Sequence, residues 1–417
     1  MSPAVQGCGG CAALALALAW TLSPGPVRAQ SHGTTPSTDV DLEDVVRLAR
    51  EASPRARALR AEARVAEADV DVAGVYPNPS VSYVFMGRFD GGPEAINGSQ
   101  HQAWFDVPLL IAGQHDARRD AAAAVASAVR AELDAELLAL EIQARRAFLA
   151  LLASQERASL LEAAREELAA LRAIVEGRSD AGAQSPYDAA RIAIELARTD
   201  ATLAGARADV RAASALLASL LGRTSWSPRA QGHLRPGAAL VVSDERVHPI
   251  IEAVRRRVIA AERDVRRAEI ERWPEVSLGA GAYFTTDGDS VSAYLGLAVP
   301  LPIFDTGEAA VRRARAARDA AVDVRDAVEH ELDARLEGAR DVLRTRRAAL
   351  DAFTSETGAR VPELRDMAES SYRLGASGVF ELLDAFRARV ELELSRIDLS
   401  RAALDAELDL LAIAGAR

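Results

Sequence analysis

Residues 276–299 read V-S-L-G-A-G-A-Y-F-T-T-D-G-D-S-V-S-A-Y-L-G-L-A-V. Val276, Leu278, Ala280, Ala282 and Phe284 alternate with Ser277, Gly279, Gly281 and Tyr283. Past a polar turn from Thr285 to Ser290, Val291, Ala293, Leu295, Leu297 and Val299 alternate with Ser292, Tyr294, Gly296 and Ala298. Successive side chains of a strand point to opposite faces, so each run has one apolar face and one small or polar face. The two runs and their turn read as a hairpin. Strands of about ten residues with that contrast are what a barrel wall in lipid requires. A soluble two-stranded hairpin would satisfy the alternation alone.

The pattern is written once before. Val81, Tyr83 and Phe85 precede a loop from Gly87 to Ser99, and His101, Ala103, Phe105 and Val107 follow it. Of the 4 Trp, 6 Tyr and 9 Phe in the chain, eleven fall within 76–105 and 273–304. Such enrichment suits aromatic belts at the two faces of a bilayer. The hairpins are therefore placed at 79–107 and 275–299. Two hairpins cannot close a barrel, and an open edge in hydrocarbon leaves backbone groups without partners. Several protomers must then share one barrel.

Outward from the hairpins, the rest of the chain is duplicated too. Ser53-Pro54-Arg55 opens a helical stretch ending at Tyr76-Pro77-Asn78-Pro79-Ser80-Val81, and His248-Pro249-Ile250 opens another ending at Trp273-Pro274-Glu275-Val276. Val107-Pro108-Leu109 recurs as Val299-Pro300-Leu301, followed by Gly113 and Gly307 respectively. Asp188-Ala189-Ala190-Arg191 recurs as Asp384-Ala385-Phe386-Arg387. The four offsets lie between 192 and 197 residues, a register that two unrelated helical domains would not keep. Each repeat reads helix, two strands, long helix, helix. The first spans 30–230 with long helices over 114–222. The second spans 231–417 with long helices over 308–414. They join through the Gly- and Pro-containing stretch from Gly222 to Pro249.

From Gln114 to about Val175 there is no Pro and no Gly. Val125, Val129, Leu133, Leu137, Leu140, Ala144, Phe148 and Leu151 recur mostly in steps of four and three, and Val324, Val328, Leu332, Leu336, Ala339, Leu343, Leu350 and Phe353 repeat the rule. This is the stripe of a helix packed along one seam in coiled-coil fashion. Sixty residues make a helix of about 90 Å. Arg, Asp and Glu occur throughout, so these helices do not sit in hydrocarbon, and after residue 29 no run of 18 apolar residues offers a membrane-spanning helix.

The chain has 417 residues, 50 basic and 61 acidic, for a net charge of −11, and every basic residue is Arg. Its 49% hydrophobic content is dominated by Ala, with only 5% aromatic, which reads as long helices with narrow small-residue seams. The acidic balance argues against a nucleic-acid footprint, which needs a clustered basic face. Residues 1–29 read as a signal peptide: an apolar run from Ala12 to Leu22, Pro24 and Pro26, then Val27-Arg28-Ala29 as a small-x-small cleavage pattern. The C-x-x-C of Cys8 and Cys11 falls in that leader, so the mature chain has no thiol for disulfides or metal.

The doubled plan, with Y-P-N-P-S-V-S-Y (Tyr76 to Tyr83), V-P-L-L-I-A-G-Q (Val107 to Gln114) and Y-R-L-G-A-S-G-V-F-E-L-L-D-A (Tyr372 to Ala385), resembles the TolC-like outer-membrane efflux proteins. The resemblance covers nearly all of the mature chain. It implies a mainly helical protomer that gives four strands to a trimeric, twelve-stranded outer-membrane barrel standing on a twelve-helix periplasmic tunnel. It also implies a homotrimer in outer-membrane lipid, docked through a periplasmic adaptor to an inner-membrane pump, and export of drugs, metal ions or proteins without enzymatic activity or cofactor. At the periplasmic tip, Glu381 and Asp384 match two acidic positions that ring the closed mouth. Asp188 and Tyr372 match an aspartate and a tyrosine of the latch that holds the mouth shut. Ser377 stands where the best-known member has a latch arginine, so that polar lock is differently made here. Glu381 and Asp384 lie three apart and share a helix face. Threefold symmetry would gather six carboxylates into a negative field that selects cations. The plainer account is of solvated acids in a helix's first turn, where the dipole favours them.

Other chemistry finds no support. The six His show no H-E-x-x-H spacing, Gly279-x-Gly281 lacks the third glycine of a nucleotide loop, and neither a G-x-S-x-G nor a Walker sequence occurs. The remaining alternatives are the duct of a type I protein secretion system, a periplasmic adaptor, and a coiled-coil scaffold. The adaptor is not duplicated in this way, and the scaffold leaves the aromatic hairpins without a use.

Overall fold

The computed structural model describes residues 39–87, 99–180, 186–223, 225–236, 248–285, 290–358, 360–374 and 376–415. The leader expected at 1–29, most of the loop between Gly87 and Ser99, the centre of the turn after Thr285, and Gly375 lie outside them.

The two repeats open with one local device. Helix α1 (Leu42–Glu51) leads to α2 (Pro54–Ala73), where Ser53 Oγ accepts from the Ala56 N–H at 3.1 Å and Pro54 occupies the first helical position. In the second repeat α5 (Pro249–Ile270) starts the same way, with His248 Nδ1 accepting from the Ile250 N–H at 3.0 Å. A side-chain acceptor satisfies one orphan helix N–H, and proline removes another while presetting φ. The junctions from strand to long helix also match. Gly113 and Gly307 both hold φ in the left-handed region, at 81° and 73°, where a Cβ would be strained.

Strands β2 (Ser80–Gly87), β3 (Ser99–Leu109), β5 (Val276–Thr285) and β6 (Ser290–Ala298) form one antiparallel sheet in the order β2-β3-β5-β6. The two hairpins fuse through the β3–β5 ladder, from Gln100 opposite Thr285 to Leu109 opposite Val276. Among the described residues, β2 and β6 each keep one unpaired edge of this sheet. A further pairing was not legible in the sequence: β1 (Asp39–Val40), near the start of the first repeat, pairs in parallel with β4 (Arg229–Ala230), at its end.

Helix α3 (Gln114–Asp180) runs 67 residues without a break and extends past the expected end through Gly177. At the α-helical rise that is about 100 Å. It packs against α1, α2, α5, α4 (Pro186–Leu220) and α8 (Val379–Ala414). Around its middle, side chains between Leu137 and Ala153 lie in the main core with Val45, Ala49, Leu217, Trp226, Leu408 and Leu411. The long helix of the second repeat differs from expectation. It divides into α6 (Glu308–Thr357) and α7 (Arg360–Arg373). Gly358 follows Thr357, and Pro362 stands in the first turn of α7. A glycine weakens the helix, and a proline has no N–H to return to the carbonyl four residues earlier. Only Val311, Ala314, Leu343 and Leu350 are buried among the 50 residues of α6. Its expected stripe is therefore half-realised within one chain, and Val324 stays exposed.

Candidate functional site

Two places combine chemistry with position: the faces of the sheet and the tip where α3, α4, α7 and α8 converge. In the sheet, the register puts Val81 opposite Phe105, Phe105 opposite Ala280, and Ala280 opposite Leu295; Leu278 faces Leu297 and Phe284 faces Val291. All lie on one face, and they are exposed there, Leu295 at 82% and Val81 at 76%. Aliphatic side chains on an exposed face are a large apolar surface without a partner in the protomer. One polar residue on that face is accommodated locally. His101 has Tyr83 Oη 2.5 Å from Nδ1 and Ser99 Oγ 3.2 Å from Nε2, and Phe284 stacks on its ring at 4.6 Å. The other face carries Ser80, Ser82, Gln100, Gln102, Trp104, Ser277, Ser292 and Tyr294, with Val84 and Met86 of β2 as apolar exceptions opposite Gln102 and Gln100.

The tip is built inside out from the sheet. Leu168 and Val175 of α3, Ile192 of α4, Tyr372 of α7, and Val379, Leu382, Leu383 and Phe386 of α8 form one buried apolar cluster. Tyr372 is 4% exposed, packed in that cluster along with Ala189, the neighbour of Asp188. Asp188 itself is half-buried in the first turn of α4. Of the two expected latch residues, Tyr372 lies in that cluster, and Asp188 adjoins Ala189, which packs against it. Ser377 Oγ, just before α8, is buried and finds no hydrogen-bond partner among the described residues.

Glu381 and Asp384 are both exposed, one turn apart on α8. The Glu381 carboxylate turns back to accept from the Gly378 N–H at 3.0 Å. It caps its own helix, a role that an acid three residues into a helix commonly takes.

Charged side chains beyond the expected ring and latch also join helices at the tip. Arg387 of α8 bonds Glu195 of α4, a carboxylate 5% exposed. The Arg387 hydrogen bond holds the Glu195 carboxyl below the ordinary carboxylate range, against the opposing effect of burial. Arg389 of α8 bonds Glu167 of α3 and lies 5.5 Å from the centre of the Phe386 ring. Arg191 lies 4.6 Å from the centre of the Phe380 ring and donates to Tyr187 Oη at 3.0 Å. A cation over an aromatic face is attractive, so this contact ties the N-terminal ends of α4 and α8 together. The signal for these residues was the repeated D-A-x-R itself: Arg191 and Arg387 hold the same position in the two repeats, each placed toward the other repeat's helix.

Comparisons with known proteins follow the same lines. The chain is 28% identical over 330 residues to the cobalt-zinc-cadmium resistance protein CzcC of Cupriavidus metallidurans, covering 73% of this chain and 76% of the relative. Among solved structures, a membrane protein from Pseudomonas aeruginosa superposes with a TM-score of 0.76 at 21% identity over 90% of each chain. The Campylobacter jejuni CmeC outer membrane channel does so with a TM-score of 0.75 at 15% identity, over 90% of this chain and 85% of that one. These likenesses show a shared fold. The outer membrane efflux protein family matches residues 45–223 and 246–416, nearly the whole of both repeats, and the chain belongs to that family.

Proposed function

We propose that three copies of this chain close one twelve-stranded barrel, and that the trimer is the passive exit duct of a tripartite efflux system fed by a periplasmic adaptor and an inner-membrane pump. As an outer membrane efflux protein it sits in the outer membrane with its helices on the periplasmic side. The observation that carries the trimer is the sheet: four strands, an exposed apolar face, and one free edge on each side. Neighbouring strands are antiparallel throughout, so β6 of one copy laid against β2 of the next continues the alternation, and each added copy keeps the strand number even. Closure removes both edges, which lipid does not tolerate open. The sparsely buried α6 offers the matching helical surface below. No step of bond making is involved.

The likeness to CzcC favours metal cations as cargo. The exposed pair Glu381 and Asp384 supports a cation-selective mouth, with Asp188 and Tyr372 as its latch. The reading is tested in a strain lacking the gene and in the same strain with the gene returned. Both are scored for growth in cobalt, zinc and cadmium and for heat-resistant trimer in the outer-membrane fraction. Restored metal resistance together with a detergent-extracted trimer is expected. A soluble monomer with full strand content would overturn the reading.

A further inference from the structure

On the polar face of the sheet, Trp104 of β3 reaches across β5 toward β6. A Cβ built on Gly279 would overlap its ring, one on Gly281 would lie 2.7 Å from Cε3, and one on Gly296 would lie 2.8 Å from Cη2. Trp104 pairs with Gly281, and Gly279 pairs with Gly296, so the three glycines form one trough beneath the indole. Tyr294 stacks on that indole at 5.0 Å and 14° and accepts a hydrogen bond from Gln102 Nε2. None of the three glycines has a positive φ; the five described glycines that do are Gly113, Gly222, Gly232, Gly307 and Gly415. Backbone conformation therefore does not require glycine in the trough. The ring does.

We propose that this trough sets the bore of the exit. Gly279 and Gly296 let Trp104 lie flush with the wall, and Tyr294 locks it there, so that the lumen keeps its full width and limits cargo by size only beyond it. The proposal rests on the duct reading, in which the polar face lines the lumen. A side chain at Gly279 would collide with the ring and push it off the wall into the passage. Covering strand glycines with an aromatic ring also stabilises a sheet, but that account alone ties Trp104 to stability and not to the bore.

The test uses full-chain trimers carrying Gly279→Ala, Trp104→Ala, or both, in planar bilayers and proteoliposomes. Gly281 is unsuitable, because its Cβ would also meet the Ala103 carbonyl oxygen at 2.7 Å. Gly279→Ala is expected to lower the size limit for neutral polymers entering from the external side. Trp104→Ala alone should not lower it, and the double variant should restore it. Fluorescence of Trp104, taken as the difference from Trp104→Phe counterparts, should become more quenched by iodide in Gly279→Ala, with quenching by brominated lipid unchanged. Should Gly279→Ala not assemble, Gly296→Ala gives the same reading through a smaller displacement of the ring edge. An unchanged polymer limit in assembled trimers, or a limit that the double variant fails to restore, would overturn the proposal. A gain in lipid quenching in place of iodide quenching would also overturn it, and would show that the facing in the duct reading had failed first.

Discussion

In the sheet, Val81, Phe105, Leu295 and Leu297 stand exposed, while the glycine trough on the opposite face lies under Trp104. At the tip, Leu168, Ile192 and Leu383 are fully buried, and Glu381 and Asp384 stand in the open. Both arrangements come from one chain with one pool of residues, so the difference lies in the solvent each region meets. Water drives apolar groups inward at the tip. Lipid removes that drive, and in the proposed barrel the sheet turns its aliphatic groups out while its small and polar groups line the interior. A chain that must satisfy both solvents separates them by length, and the 67 residues of α3 supply it.

The sharpest way to break this contrast is in the tip core. Leu383→Ala removes a side chain with 0% exposure and should cost about 2–5 kcal/mol. Faster amide exchange confined to the ends of α3, α4 and α8 would be the sign of it. A loss spread evenly down to the sheet would mean that tip and sheet do not form separate environments. In the sheet the sign of a change should depend on its face. Leu295→Arg, on the exposed apolar face, should cost roughly 2–4 kcal/mol near the membrane midplane and deplete heat-resistant trimer. Ser292→Arg, two strand positions from Tyr294 on the polar face, should be tolerated far better. Equal trimer yields from the two would refute the facing.

Sequence legibility follows the same division. The hairpins are readable because a strand's two faces are written in adjacent letters: the alternation puts Leu278 and Leu297 on one face, and the ladder sets them opposite each other. The left-handed Gly113 and Gly307 are readable as landmarks because they recur in register. What is not readable depends on who the neighbours are. The stripe on α6 looks like the stripe on α3, but α6 packs mainly on α5 and α8 within the chain, so Leu332 and Leu336 are half-buried while Leu137 and Leu140 are buried. The break before α7 is written in Gly358 and Pro362 but masked by apolar spacing that runs on toward it. At the tip, acidic positions stand out through the family resemblance, whereas the contacts between helices run through Arg387, Arg389 and Arg191. An arginine on a helix face looks the same in sequence whether it meets water or a buried glutamate 192 residues away.

That buried glutamate gives the next smaller effect. Glu195→Gln keeps the shape and leaves Arg387 facing a neutral partner. Losing one member of a buried pair costs about 3–5 kcal/mol, but the Arg387 side chain is 34% exposed, and solvent screening reduces the expected cost to roughly 1–2 kcal/mol. The pH dependence has a definite sign. The folded-state value of Glu195 is depressed, chiefly by the Arg387 hydrogen bond. The pair therefore contributes its full stability above the ordinary carboxylate value and loses it as pH falls through the lowered one. Thermal unfolding of the tip followed from neutral to acid pH should show this loss in the native chain and not in Glu195→Gln. An identical acid limb in both would assign the acid sensitivity elsewhere.

The smallest change in stability should come from Glu381→Gln with Asp384→Asn, and it separates the tip's charge from its packing. Both native side chains are exposed. The amide that replaces the Glu381 carboxylate would keep an acceptor oxygen for the Gly378 N–H, now bonded at 3.0 Å. What is lost is the favourable placement of negative charge near a helix N-terminus, about 0.3–1 kcal/mol. The electrical consequence should be larger. In the proposed trimer these carboxylates gather on the threefold axis and repel one another, so cations that neutralise them should bind in the closed state. Multivalent cations should block single-channel current from the periplasmic side of the native trimer, and added salt should relieve the block by screening. The double variant should lose the block and much of its cation preference, with the trimer intact. Asp188→Asn, in the turn beside the Tyr372 cluster, should instead raise the open probability and leave selectivity nearly unchanged. Planar-bilayer recordings of the native trimer and both variants decide the matter. A block that survives in the double variant would leave Glu381 as a helix cap and Asp384 as a solvated surface acid, and the cation-selective mouth would then have to be sought elsewhere than on α8.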